Sequence, residues 1–189
     1  MIENLAGTVS DVVAALDGQG IVYAITGSVA SGIYGEPHTT IDVDIVLRLT
    51  AGQAVAISDA LSSRYYCSRE MLLEAVRSSG QANVINNQTG LKIDLSVWPP
   101  GGFHDCVLSR RRRLPFGPGG PAFYVVSPED VILMKLIWRR ESRSEKQWRD
   151  ALGVVRVRGS TLDWAYLREH AEALVVLDQL IALRDEGGV

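Results

Sequence analysis

GSVASGIYGEPHTTIDVDIVL, residues 27–47, carries two chemical signals that belong together. Just upstream, IVYAIT (21–26) is β-branched and apolar, a strand composition. It runs into Gly27-Ser28 and then VASGIYG, a short helix for which Ser28 stands as the capping residue. A strand-to-helix turn of this kind points backbone N–H groups at an anion, and glycine lets a phosphate approach the chain closely. Further on, IDVDIVLRL (41–49) alternates, with Ile41, Val43 and Ile45 on one face and Asp42, Asp44 and Val46 on the other. Carboxylates at i and i+2 of a strand project from the same face, ~6–7 Å apart at the backbone. Their charges repel, so the pair calls for a cation, and Mg²⁺ held by one or two carboxylates and substrate phosphates satisfies that need.

A third acid repeats the pattern. In LKIDLSVW (91–98), Asp94 interrupts an otherwise apolar strand, with Ile93 and Leu95 facing away from it. If strands 41–49 and 91–98 are neighbours, Asp42, Asp44 and Asp94 converge into a two-metal cage. Other chemistries lack their spacings. No Gly-Lys-Ser/Thr follows Gly27, and Gly27, Gly32 and Gly35 do not form G-x-G-x-x-G. Cys67, His104, Cys106 and His170 show no zinc pattern, and no G-x-S-x-G nucleophile turn is present.

The composition bounds the partners. Of 189 residues, 47% are hydrophobic and 22% charged, with 19 Lys+Arg against 22 Asp+Glu and a formal net charge of −3. That balance argues against a protein that coats nucleic acid without preference, which rests on a basic surplus. Positive charge is local instead, in Arg110–Arg113 and between Lys135 and Arg149, and 16 of the 19 basic residues are Arg. Guanidinium forks suit local phosphate recognition. No apolar run reaches the ~18 residues of a membrane span, no secretory leader opens the chain, and two distant cysteines suit reduced thiols. These features predict a soluble, cytoplasmic protein without a membrane role.

Elsewhere, helical spacing marks Asp11–Leu16, Thr50 caps a helix to about Ser62, and MLLEAV (71–76) is a further helix. Thr89-Gly90 joins 82–88 to 91–98 as a hairpin. PPGG (99–102) starts a helical stretch ending in the Arg run, and PFGPGGP (115–121) marks a lobe boundary or loop. FYVV (123–126) is a strand. Ser127-Pro128-Glu129-Asp130 is a helix start, a second helix covers about 148–157, and Thr161 caps a last one. Trp138 and Trp148 read as packing residues of this helical part. The order is a mixed sheet first and a helical last third.

In the Gly-Ser turn, the Asp-x-Asp pair and the later Asp, the chain resembles the nucleotidyltransferase superfamily. SPEDVILMKLIWRRESRSEKQWRDAL (127–152) resembles more narrowly the AbiEii/AbiGii-type members, several of them toxins of bacterial toxin–antitoxin pairs. The resemblance covers about residues 20–155. It implies an α+β fold, a mixed-sheet palm like that of DNA polymerase β over 1–120, with a mainly helical region over 121–189 packed on it. It implies transfer of NMP from an NTP to an acceptor, with Mg²⁺ or Mn²⁺ held by Asp42, Asp44 and Asp94. Asp42, Asp44, Asp94 and Lys135 would be the catalytic residues; Gly27, Ser28, Lys135, Arg139 and Asp150 would contact the nucleotide. Fifteen residues of straight helix span ~22 Å, so Asp150 joins Lys135 only if the chain bends near Ser142–Ser144. His38 stands where relatives often carry Arg. The acceptor implied is a tRNA 3′ end, and the partner a cognate antitoxin; an aminoglycoside-type acceptor and a non-catalytic nucleotide-binding module are the alternatives.

Overall fold

The computed structural model describes residues 2–37, 40, 42–115 and 120–189, so His38, Ile41 and the centre of the Pro/Gly loop lie outside the described residues. The chain opens with α1 (Ile2–Gly18), β1 (Tyr23–Thr26), α2 (Gly27–Tyr34) and β2 (Asp42–Leu47). Next come α3 (Ala51–Leu61), β3 (Tyr65–Cys67), α4 (Arg69–Ser78), β4 (Gln81–Asn86) and β5 (Lys92–Val97). After α5 (Gly102–Ser109), β6 (Arg112–Pro115) and β7 (Ala122–Val125), the rest is helical: α6 (Pro128–Ser142), α7 (Glu145–Arg158), α8 (Trp164–Ala173) and α9 (Leu177–Gly187). Among the described residues, seven strands form one mixed sheet in the order β3-β4-β5-β2-β1-β7-β6. The class is α+β, with a helical C-terminal region.

Two compact units emerge, one of Met1–Ile25 and Thr40–Val125, the other of Thr26–Thr39 and Val126–Val189. In the first, β2 and β5 are parallel neighbours, and β4 pairs antiparallel with β5. Alternation gives this part of the sheet one dry face: Val43, Ile45, Leu47, Ala82, Val84, Ile93, Leu95 and Val97 are all buried. α3 and α4 pack on that side, with α1 against α3. Thr50 starts α3 as expected; its hydroxyl accepts from Gln53 N while the Gln53 side chain accepts from Thr50 N. Gly90 closes the β4–β5 hairpin at φ +71°, a conformation open to glycine. The Arg run departs from its helical expectation. α5 stops at Ser109, and Arg112 and Arg113 belong to the edge strand β6, paired with Val125 and Tyr124 of β7.

The second unit gathers α2 and α6–α9. Ser127 caps α6 by accepting from Asp130 N at 3.1 Å. The adjacent acids Glu129 and Asp130 are fully buried. Asp130 accepts from Ser127 Oγ and Tyr166 Oη, and Glu129 accepts from the Asp163 amide, so both carboxylates tie α6 to the start of α8. Asp163, rather than Thr161, caps α8, because Thr161 is taken up in a single 3₁₀ turn. The tail is two helices, broken at Val175 (φ +58°). Ser28 does not cap α2 either: the N-cap is Thr26, whose hydroxyl contacts Met134 Sδ at 3.5 Å.

α2 ends against the backbone of α7. A Cβ built on Gly35 would lie 2.7 Å from both Gly153 C and Val154 N, backbone atoms that cannot swing aside. Gly35→Ala should therefore cost about 1–3 kcal/mol by overpacking, read as a lower urea midpoint at unchanged m.

Candidate active site

The register of β2 and β5 decides where the acids stand. Asp44 is directly opposite Asp94, and Asp42 is opposite Lys92. Neighbouring strands lie about 4.8 Å apart, so the three carboxylates share one face of two adjacent strands. This is the face turned away from α3 and α4. Asp42 is exposed, and Asp44 and Asp94 are half-buried.

Lys92 belongs to the same cluster. Its Nζ lies 2.8 Å from Asp94 Oδ2. The hydrogen bond to Asp94 raises the ammonium pKa, and the charges of Asp94, Asp42 and Asp44 add to it. The sequence carries the signal, since Lys92 and Asp94 are i and i+2 of one strand and so share a face. Asp94 Oδ1 is buried and has no hydrogen-bond partner among the described residues.

Three carboxylates offer hard oxygen donors of the kind that Mg²⁺ and Mn²⁺ take, and the buried Asp94 Oδ1, with no hydrogen-bond partner among the described residues, could serve as one. The residues fit such an ion by donor chemistry and by sharing one strand face. They are not drawn around it: among the described residues no three acid, His or Cys side chains converge on a common point.

In the second unit, α6 ends at Arg143, which is left-handed (φ 54°), and Ser144 starts α7. This reversal supplies the bend that Asp150 needs. Lys135 Nζ lies 2.7 Å from Asp150 Oδ2, with side chains 2% and 9% exposed. The ammonium also stands 5.7 Å from the Trp138 ring centre. Arg139 caps the Trp148 ring at 4.5 Å and donates to Gln179 Oε1 at 3.3 Å. The two tryptophans are half-buried and serve as seats for these cations. Lys146 and Arg149 border a cavity of about 300 Å³ that Asp150 and Ser31 also line. Gly27 is buried at φ +64°, which explains the glycine, and Ser28 is half-buried in the first turn of α2, where no side chain caps the N–H groups.

No protein-family model and no curated protein matches the sequence. Solved structures do match. ANT(2'')-Ia in complex with adenylyl-2''-tobramycin aligns at a TM-score of 0.59 and 12% identity, over 89% of this chain and 95% of that one. A nucleotidyltransferase-like protein from Paracoccidioides brasiliensis aligns at 0.55 and 16%, over 97% and 93%. The fold is that of the nucleotidyltransferases. A putative nucleotidyltransferase from Thermotoga maritima aligns at 0.50 and 16% identity, over 74% of this chain and 87% of that one. At such identities the likeness is one of fold, and the side chains above must carry the chemistry.

The Lys135–Asp150 pair can be tested directly. Lys135→Met leaves the Asp150 carboxylate without its ammonium and should cost about 3–5 kcal/mol in urea unfolding, whereas Lys135→Met with Asp150→Leu should recover most of that loss.

Proposed function

We propose that this chain is a divalent-cation-dependent nucleotidyltransferase that moves NMP from an NTP to an acceptor hydroxyl and releases pyrophosphate. The observation that carries the reading is Asp44 set opposite Asp94 on adjacent parallel strands, with Asp42 one step along the same face. These three would hold Mg²⁺ or Mn²⁺, which when bound offsets triphosphate charge and favours ionisation of the attacking hydroxyl. In the transfer the acceptor oxygen bonds to the α-phosphorus and the α–β anhydride bond breaks, with the electron pair leaving on pyrophosphate. Asp94 helps take the hydroxyl proton. Gly27 and the N–H groups that follow it, with Ser28, bind phosphates. Lys135, oriented by Asp150, and Arg139 contribute positive charge where negative charge develops.

For the acceptor we favour the 3′ end of a tRNA, with the chain acting as the toxin of a pair that a cognate antitoxin restrains in the cytoplasm. Exposed Arg112 and Arg113 on the edge strand, and Lys146 and Arg149 beside their cavity, support contacts to nucleic-acid phosphates. An aminoglycoside-type acceptor is the second reading, supported by the net charge of −3 and by the fold likeness to a protein bound to adenylyl-2''-tobramycin.

With α-labelled NTPs and Mg²⁺, label should enter tRNA; label appearing only in an aminoglycoside panel would overturn the tRNA reading in favour of the second. Metal-dependent ATP binding in calorimetry, with no turnover on any acceptor, would leave a nucleotide-binding module. Asp42→Ala and Asp44→Ala should each slow transfer by at least about 10²-fold, because metal charge stabilisation is worth several kcal/mol. Asp42 is exposed and Asp44 half-buried, outside the apolar core, so the circular dichroism spectrum should stay unchanged. A double variant with wild-type transfer rate would end the proposal.

A further inference from the structure

We infer that Lys92 is the resident counter-ion of the acid strip: its ammonium occupies Asp94 when no divalent ion is bound, and metal binding is an exchange of one cation for another. The inference rests on reading the strip as the metal centre. Among β2, β4 and β5, Lys92 is the only basic residue. It starts β5 opposite Asp42 and reaches Asp94, two residues on, so it stands within the strip. Its 2.8 Å contact takes one Asp94 oxygen and leaves the other buried and unpartnered, so Asp94 is half engaged by protein and half reserved. Buried polar atoms as a rule have a partner, and this one has none among the described residues.

The identity of the cation matters. A guanidinium would bridge both carboxylate oxygens in a planar fork, whereas an ammonium on a four-carbon stem is a point charge that can swing off a single oxygen. Lys92 is 36% exposed, so water can receive the ammonium as an ion takes Asp94. Without the ion it offsets repulsion among three carboxylates on neighbouring strands. With the ion it opposes binding, both by holding a ligand atom and by like charge.

The test is a Mn²⁺ titration read by the paramagnetic resonance of free Mn²⁺, with thermal unfolding in chelator, on wild type, Lys92→Met, Lys92→Gln, Lys92→Arg and Asp94→Asn. Lys92→Met and Lys92→Gln should bind Mn²⁺ about fivefold more tightly, the effect of removing one unit charge about 8 Å from a divalent ion in water. Both should melt lower than wild type in chelator and regain the difference with Mn²⁺. Lys92→Arg, which keeps the charge, should bind no more tightly than wild type. Equal or weaker Mn²⁺ binding by both neutral variants, with binding lost in Asp94→Asn, would overturn the role of Lys92 alone. Absence of Mn²⁺ binding in every variant would overturn the metal reading and this inference with it.

Discussion

Asp44 opposite Asp94 is the constraint around which the first unit is built. Like charges directly across a strand pair destabilise a sheet, so something else must hold this register. The dry face does so. Val43 with Ile93, Ile45 with Leu95 and Leu47 with Val97 are buried partners behind the acids. A slip of one residue would turn the aspartates into that core and the valines and isoleucines outward, at a cost no surface effect could offset. Stability therefore comes mainly from one side of β2 and β5, with Val46 the buried residue of β2 on the aspartate side.

The second unit solves a different problem, burying ions among helices. Lys135 with Asp150, Asp130 with Ser127 and Tyr166, and Glu129 with the Asp163 amide are each partnered. Such groups contribute little net energy relative to apolar replacements, but each penalises any other alignment of the helices that share it. The close contact of Gly35 with the α7 backbone adds a steric limit on the same packing. The result is that Lys135, a long side chain on the buried part of α6, is held against Asp150.

How much of this was legible depends on whether the signal was local. Period-two alternation exposed both aspartate strands, and the Ser127-Pro128 and Thr50 starts were legible because caps act within three residues. The bend bringing Asp150 to Lys135 could be stated only as a condition, since it rests on a left-handed Arg143 that propensity does not announce. β3 has three residues, too few for any period to show. Arg112 and Arg113 read as a helix end because strand identity at an edge comes from the partner, β7, and not from the arginines. Thr161 and Asp163 are two equally good caps two residues apart, and tertiary contact to Glu129 selects the second.

Lys92 shows why a list of acids understates such a site. On the proposed reading, the three aspartates and one lysine of β2 and β5 sum to two formal negative charges, which a single divalent cation would balance. A second ion overshoots unless an anion arrives with it, and a triphosphate is an anion of the right kind. If the strip holds metal as proposed, charge balance would couple metal loading to nucleotide on this surface, with the Lys92 ammonium giving up Asp94 as the ion arrives. On that proposal, the one basic residue of β2 and β5 shares in the chemistry of the carboxylates it accompanies.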